Sequence, residues 1–229
     1  MATVSVVIPT RNEEASIGRV LEEVRTALAS WDHEILIVDT SSTDRTREIA
    51  ATKGARIVDE PRRGYGRAYK TGFAAAKGDV LATLDADLTY PAERIPEFAS
   101  MIVSGEADFI AGDRLSHLAD GAMSGMHRVG NEILNATFRL LFRHAIRDSQ
   151  SGMWVFRRSA IDRLAVHSDG MAFSEELKLA ALRGGLKFRE IPITYRPRVG
   201  AKKIRSVRDA TRNEVWLLRK RFGWTRPES

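Results

Sequence analysis

The chain has 229 residues, 43% of them hydrophobic and 29% charged, ordinary values for a globular protein with one sizeable core. It contains no cysteine, which excludes disulfides, thiolate metal sites, iron–sulfur clusters and thiol nucleophiles. The net charge of +6 is local: Arg196 to Arg226 carries eleven Lys/Arg against Asp209 and Glu214, a balance of +9 that leaves −3 for the rest.

Met1-Ala2-Thr3 leads straight into the β-branched Val4-Ser5-Val6-Val7-Ile8, a first strand ending at Pro9. Without a charged, apolar leader, and with no apolar run near the ~18 residues of a membrane span, the expectation is a cytoplasmic location or the cytoplasmic face of a membrane. Ile17, Val20, Leu21, Val24 and Leu28 recur at helical spacing behind an expected Asn12 cap, with Glu13 and Glu14 in the first turn. Ile35-Leu36-Ile37-Val38 is a continuous apolar run, as in a parallel strand covered on both faces. A short helix from Asp44, a strand near Ile57, a helix from Tyr69 to Ala76 and a strand from Val80 to Leu84 follow. Pro91 suits the first turn of a helix reaching Val103, and Asp108 to Ala111 returns to strand.

This βαβαβ rhythm predicts an α/β fold with a Rossmann-like, doubly wound, mostly parallel sheet and helices on both faces. Ligands of such sheets bind beyond the carboxyl ends of the strands. The second half is less regular, with helical patterns at 129–142, 159–164 and 175–183 and strands at 153–156 and 188–195. A closing helix from Ser206 aligns Val207, Ala210, Val215, Leu218 and Phe222 on one face. One compact domain over 1–204 is expected, followed by a basic amphipathic helix and tail over 205–229.

Asp85-Ala86-Asp87 directly follows the apolar strand ending at Leu84. Alternation points the two carboxylates the same way, with Ala86 opposite. Charge at a buried strand end is costly unless paired, and a hard divalent cation bridging to phosphate oxygens would offset it. The competing reading is a turn or helix-capping pair. Asp39 stands at the end of another strand before a hydroxyl-rich loop, suited to a nucleobase or ribose, while Ser42 to Asp44 read as a helix cap. Pro9-Thr10-Arg11-Asn12-Glu13 ends the first strand, so three segments converge on one crevice. Gly64-Tyr65-Gly66 is only a loose G-x-G, and neither a dinucleotide fingerprint, a P-loop nor a G-x-S-x-G elbow is present. The five histidines show no dense ligand spacing.

Taken together, the sequence resembles glycosyltransferase family 2, and within it the dolichol-phosphate (polyprenyl-phosphate) sugar synthases. The matching pieces are Val6 through Glu14, Val38-Asp39 with Ser42-Thr43-Asp44 and Thr46, Gly64 through Gly72, and Gly78-Asp79 leading to Asp85-Ala86-Asp87-Leu88. Gly112-Asp113-Arg114, Arg128, Asp148-x-x-Ser151-Gly152, Glu176, Glu190-Ile191-Pro192-Ile193 and Arg198 with Gly200-x-x-Lys203 follow in family order.

The resemblance implies a glycosyltransferase A-type fold and a metal-dependent, inverting transfer of a hexose from a nucleotide sugar to a polyprenyl or dolichyl phosphate. Pro9, Arg11, Glu13, Val38 and Asp39 would line the nucleoside pocket. Asp85, Ala86 and Asp87 would meet the donor and a Mg²⁺ or Mn²⁺ ion, with Asp87 the principal ligand, Asp85 secondary and Thr89 where Gln is common. Arg114 and Arg128 would face phosphates, and Arg198 and Lys203 would close over the diphosphate from a mobile loop. Because the acceptor is already an anion, little or no general base is needed. The resemblance makes GDP-mannose the leading donor, but Thr40 stands where the mannosyl synthases usually have Asp and Lys202 where Ser is usual, which keeps a UDP-sugar such as UDP-glucose close beside it. A transferase acting on a soluble or glycan acceptor is the alternative. A nucleic-acid-binding role for the basic tail lacks any recognisable module. The tail helix fits a peripheral membrane surface or a membrane-anchored partner, or else simple packing on the core.

Overall fold

The computed structural model describes residues 2–200 and 206–223, the side chains of 206–210 excepted. Seven strands form one sheet: β1 (Val4–Thr10), β2 (His33–Asp39), β3 (Arg56–Asp59), β4 (Val80–Thr83), β5 (Phe109–Leu118), β6 (Trp154–Arg157) and β7 (Phe188–Tyr195). Their order is β3-β2-β1-β4-β6-β5-β7, and all point one way except β6, which runs antiparallel between β4 and β5. The helices are α1 (Ile17–Ala27), α2 (Thr46–Thr52), α3 (Tyr65–Ala75), α4 (Ile95–Val103), α5 (Gly125–Phe142), α6 (Phe173–Arg183) and α7 (Ser206–Phe222). The expected mostly parallel α/β sheet is the fold observed.

Side-chain alternation divides the interior into two layers. Val4, Val6 and Ile8 of β1 enter a core with Val20, Leu21 and Val24 of α1 and Ile95, Phe98 and Ile102 of α4. Val7 points the other way, to Leu36, Val38, Tyr69, Phe73, Trp154, Phe156 and Phe173. A third cluster joins α5, α6 and α7 through Leu134, Phe138, Phe142, Leu179 and Leu217. Because β1, β2 and β4 are parallel and in register, their carboxyl ends emerge side by side, with Thr10 opposite Asp39.

Two local expectations are corrected, and the structure shows how α7 sits. Helix α1 begins at Ile17 behind Ser16, and Asn12 is a left-handed loop residue with φ 53° whose side chain accepts the Thr43 N–H at 2.7 Å. The loop's polar groups turn to the adjoining β2–α2 loop instead of the helix: Asn12 N donates to Ser42 Oγ at 2.9 Å and Glu13 N to Thr46 Oγ1 at 2.7 Å. Residues Arg158–Arg163 are a 3₁₀ turn, a run too short to bury a helical face. In α7, Leu217 is buried while Val215, Leu218 and Phe222 of the expected apolar stripe are exposed. Polar anchors turn the helix: Asn213 Nδ2 donates to Gln150 at 2.7 Å, Thr137 Oγ1 to Glu214 at 2.6 Å and Lys220 Nζ to Glu176 at 2.8 Å. The side chains of Val207 and Ala210 lie outside the described residues.

Candidate active site

Strand β4 is tied to β6 by Thr83, whose hydroxyl donates to Gly152 O at 2.7 Å and accepts the Trp154 N–H at 2.8 Å. The chain then leaves the sheet as Asp85-Ala86-Asp87. Ala86 packs into the α1/α4 core and its carbonyl accepts the Ser16 hydroxyl at 2.6 Å, while both aspartates line a cavity on the other side. Leu88 turns the chain with φ 66°.

Both oxygens of Asp87 are engaged. Thr89 donates its hydroxyl to Oδ1 at 2.6 Å and its N–H at 3.2 Å. Arg198 donates one guanidinium nitrogen to Asp87 Oδ2 and the other to Glu13 Oε1, each at 2.9 Å. This arginine is held by backbone pairing on both sides, since Arg196 N reaches Thr89 O and Val199 N reaches Asp87 O, each at 3.0 Å. Burial, and next the Asp87 charge, push the Asp85 carboxyl up to about 7, against the pull of Arg114 and Arg198. Two adjacent carboxylates whose charges oppose each other are a donor set that a hard divalent cation suits. Among the described residues no group of three or more His, Cys, Asp or Glu side chains could hold a metal by itself. The remaining ligands would have to be substrate phosphates and water, the usual arrangement for Mg²⁺.

Arg114, midway along β5 where its register with β7 shifts after Asp113, forms a bidentate pair with buried Asp148 at 2.7 and 2.8 Å, and its own N–H donates to the same carboxylate at 3.0 Å. Burial would raise the Asp148 carboxyl, but the Arg114 charge and hydrogen bonds hold it below the usual range. The guanidinium still lines the cavity and lies 5.3 Å from the centre of the Tyr195 ring. Three more aromatic groups crowd Asp85. Tyr69 Oη reaches it at 3.5 Å, Tyr65 packs edge-on to Tyr69 at 4.9 Å, and Tyr90 Oη accepts the Gly152 N–H at 2.7 Å. Gly152 is required by this approach: a Cβ there would lie 2.3 Å from Tyr65 Oη and 3.6 Å from Asp85.

The nucleoside-side residues sit one and two strands away. Asp39 ends β2 fully buried and accepts hydrogen bonds from the Ser42 N–H at 3.0 Å and Arg47 at 3.1 Å, while Arg47 also pairs with Asp59. Val38 is buried beneath it, and Pro9, Arg11 and Glu13 lie along the β1 end. Arg128 is exposed on α5 and does not line the cavity, whereas its neighbour His127 does. Lys203 lies outside the described residues.

The cavity has a volume of about 440 Å³ and two unlike walls. Asp85, Asp87, Arg114 and Arg198 form one; Met123, Met126, Leu134 and Met171 form much of the other. The sequence reading missed this methionine wall and the tyrosines, which have no strand-end signal. It also gave Asp148 no role, although Asp148-x-x-Ser151-Gly152 is a recurring piece of the resemblance.

A family model described as glycosyl transferase family 2 matches residues 5–165. The low-salt glycan biosynthesis hexosyltransferase Agl6 of Haloferax volcanii is 39% identical over 220 residues, 94% of this chain and 53% of that protein. The chain thus spans about half the length of that relative. The dolichyl-phosphate hexose transferase of the same organism is 34% identical over 87% of this chain and 86% of its own length. Among solved structures, glucosyl-3-phosphoglycerate synthase from Mycobacterium tuberculosis, in complex with Mn²⁺, UDP-glucose and phosphoglyceric acid, superimposes with a TM-score of 0.77. That match covers 97% of this chain and 80% of the synthase at 22% identity.

Proposed function

This chain belongs to glycosyl transferase family 2, and on that footing we propose that it transfers a hexose from a nucleotide sugar to a polyprenyl or dolichyl phosphate with inversion at the anomeric carbon. The observation that carries the acceptor class is the two-walled cavity. Its charged wall suits a diphosphate meeting a phosphate, and its methionine wall suits the first units of a flexible hydrocarbon chain. The name of the dolichyl-phosphate hexose transferase supports the same reading.

In this account Pro9, Arg11, Glu13, Val38 and Asp39 receive the nucleoside, and the donor diphosphate lies across Asp85 and Asp87. These two carboxylates, with Thr89 positioning Asp87, would hold Mg²⁺ or Mn²⁺, which when bound neutralises charge on the departing nucleoside diphosphate. The Mn²⁺ in the solved relative agrees with that choice of ion. A phosphate oxygen of the acceptor attacks the anomeric carbon while the bond from that carbon to the diphosphate oxygen breaks on the opposite face. Both nucleophile and leaving group are already anions, so no proton has to move. Arg198 exchanges its bonds to Asp87 and Glu13 for the diphosphate, and Arg114, oriented by Asp148, steadies the acceptor phosphate. By the resemblance, Lys203 would add a second cation for the diphosphate. Catalysis is orientation plus electrostatics.

GDP-mannose is the favoured donor, with UDP-glucose the alternative. No helix among the described residues is long and apolar enough to cross a membrane; in this reading the lipid acceptor is met at a cytoplasmic membrane face. The test is transfer of labelled hexose from either donor, with Mn²⁺ or Mg²⁺, to a polyprenyl phosphate and in parallel to a short soluble phosphate. Label entering only the lipid product supports the assignment; equal or exclusive labelling of the soluble acceptor rejects it.

A further inference from the structure

Lys178 of α6 is the only buried lysine among the described residues, and none of its surface is exposed. A buried ammonium is costly unless it is paired and hydrogen-bonded, so its surroundings carry the reason for it. Its Nζ donates to the Asp148 carbonyl at 2.5 Å. From β7, Glu190 accepts two consecutive amides, Arg147 N at 2.7 Å and Asp148 N at 3.0 Å. Asp148 is thus gripped at its amide, at its carbonyl and, by Arg114 and the Gln150 N–H, at its carboxylate. Neither Lys178 nor Glu190 lines the cavity, so any influence they have there passes through Asp148 and Arg114.

The charges of the group explain why a second cation stands behind the first. An Arg114–Asp148 pair alone is neutral, and a neutral pair attracts a phosphate only weakly. Lys178 joins Arg114 in favouring the Asp148 carboxylate, so the three groups together retain one net positive charge behind the cavity wall. Two other acids face the ammonium. Glu190 is half-buried, where water screens its charge. Glu175, one helical turn before Lys178, is fully buried; burial and then the Glu214 charge push its carboxyl well above its usual range, toward the neutral acid. Burial also pulls the Lys178 ammonium down to about 8, against the Asp148 and Glu190 charges and with the Arg114 charge. Lys178 is therefore charged at neutral pH and loses that charge in mild alkali.

We propose that Lys178 is a positioning residue for the acceptor phosphate: acting through Asp148, it sets the direction of the Arg114 guanidinium and keeps its charge available to the cavity. This role rests on the reading that Arg114 meets the acceptor phosphate. The experiment is labelled-hexose transfer by the whole chain and by Lys178→Met, with KM measured separately for the donor, for polyprenyl phosphate and for a short soluble phosphate. Lys178→Met is expected to raise the acceptor KM about tenfold and to change the donor KM by less than about twofold. In the unmodified chain the acceptor KM should climb severalfold as pH rises through about 8, and that climb should be missing from Lys178→Met. Loss of packing alone would not remove a pH dependence. If Lys178→Met melts below the assay temperature, Lys178→Gln, which keeps an N–H donor toward the Asp148 carbonyl without the charge, is measured in its place. An unchanged acceptor KM, a loss confined to kcat, an equal rise in the donor KM, or a climb with pH retained by the variant overturns the proposal. A flat acceptor KM in the unmodified chain across that pH range overturns it without any variant. Transfer to the soluble phosphate alone would instead reject the lipid reading, and the Lys178 comparison is then decided with that acceptor.

Discussion

The two halves of the molecule build one site by different means. In the first half, β1, β2 and β4 deliver Glu13, Asp39, Asp85 and Asp87 to a common edge through parallel register alone, and short loops hold each acid close to its own strand. In the second half, the contributing groups are fixed by partners far away in sequence: Arg114 by Asp148, Arg198 by Asp87 and Glu13, Asn213 by Gln150. The first half supplies carboxylates and the second cations and an apolar wall. Position in the first half follows from topology, whereas in the second half it depends on individual pairs.

That contrast predicts different mutational signatures. The largest effect belongs to Asp87→Ala, expected to lower transfer by about a thousandfold through lost electrostatic stabilisation, with the melting temperature nearly unchanged because Arg198 keeps Glu13 and the repulsion on Asp85 is relieved; steady-state kinetics and a melting curve read both. Second is Asp148→Ala, which leaves the Arg114 guanidinium buried and unpaired and should cost about 3–5 kcal/mol in denaturant unfolding. A stable Asp148→Ala variant with reduced activity alone would erase the distinction between the halves.

Gly152→Ala comes next. Its added carbon would press on Tyr65, so a loss of about 1–3 kcal/mol is expected with a fall in activity, visible in the same unfolding experiment. The smallest effect is on pH dependence. The Asp148 carboxyl titrates below its usual range in the folded chain, so the pair's contribution is intact above the unfolded value of about 3.9 and is lost as pH falls through the lower folded one. Acid unfolding of Asp148→Asn should accordingly show a shallower pH slope.

The same contrast explains what the sequence revealed. The apolar runs at Val4 and Ile35 and the strand ending at Leu84 were readable because a buried parallel strand leaves an unbroken hydrophobic signature, and the acids that end them stand out against it. Asn12 misled because a loop residue with a capping side chain looks the same whether it turns to its own helix or to the neighbouring loop. Periodicity alone leaves the inward face of α7 open for a related reason. Its orientation is set by Asn213, Glu214 and Lys220 reaching partners 63, 77 and 44 residues away, and hydrophobic periodicity carries no record of such bonds. The methionine wall was invisible too, since Met123, Met126 and Met171 meet only after α5 and the 171 loop converge.

The central claim is that Asp85 and Asp87 hold the donor diphosphate through a divalent ion. It is tested most directly by the melting temperature of the unmodified chain and of Asp87→Ala with GDP-mannose and with UDP-glucose, each with and without Mn²⁺. Because a ligand that binds only the folded state raises its stability, the account predicts an upward shift for one donor in the unmodified chain, present only with Mn²⁺ and absent in Asp87→Ala. An equal shift without metal, or one retained by Asp87→Ala, would contradict it.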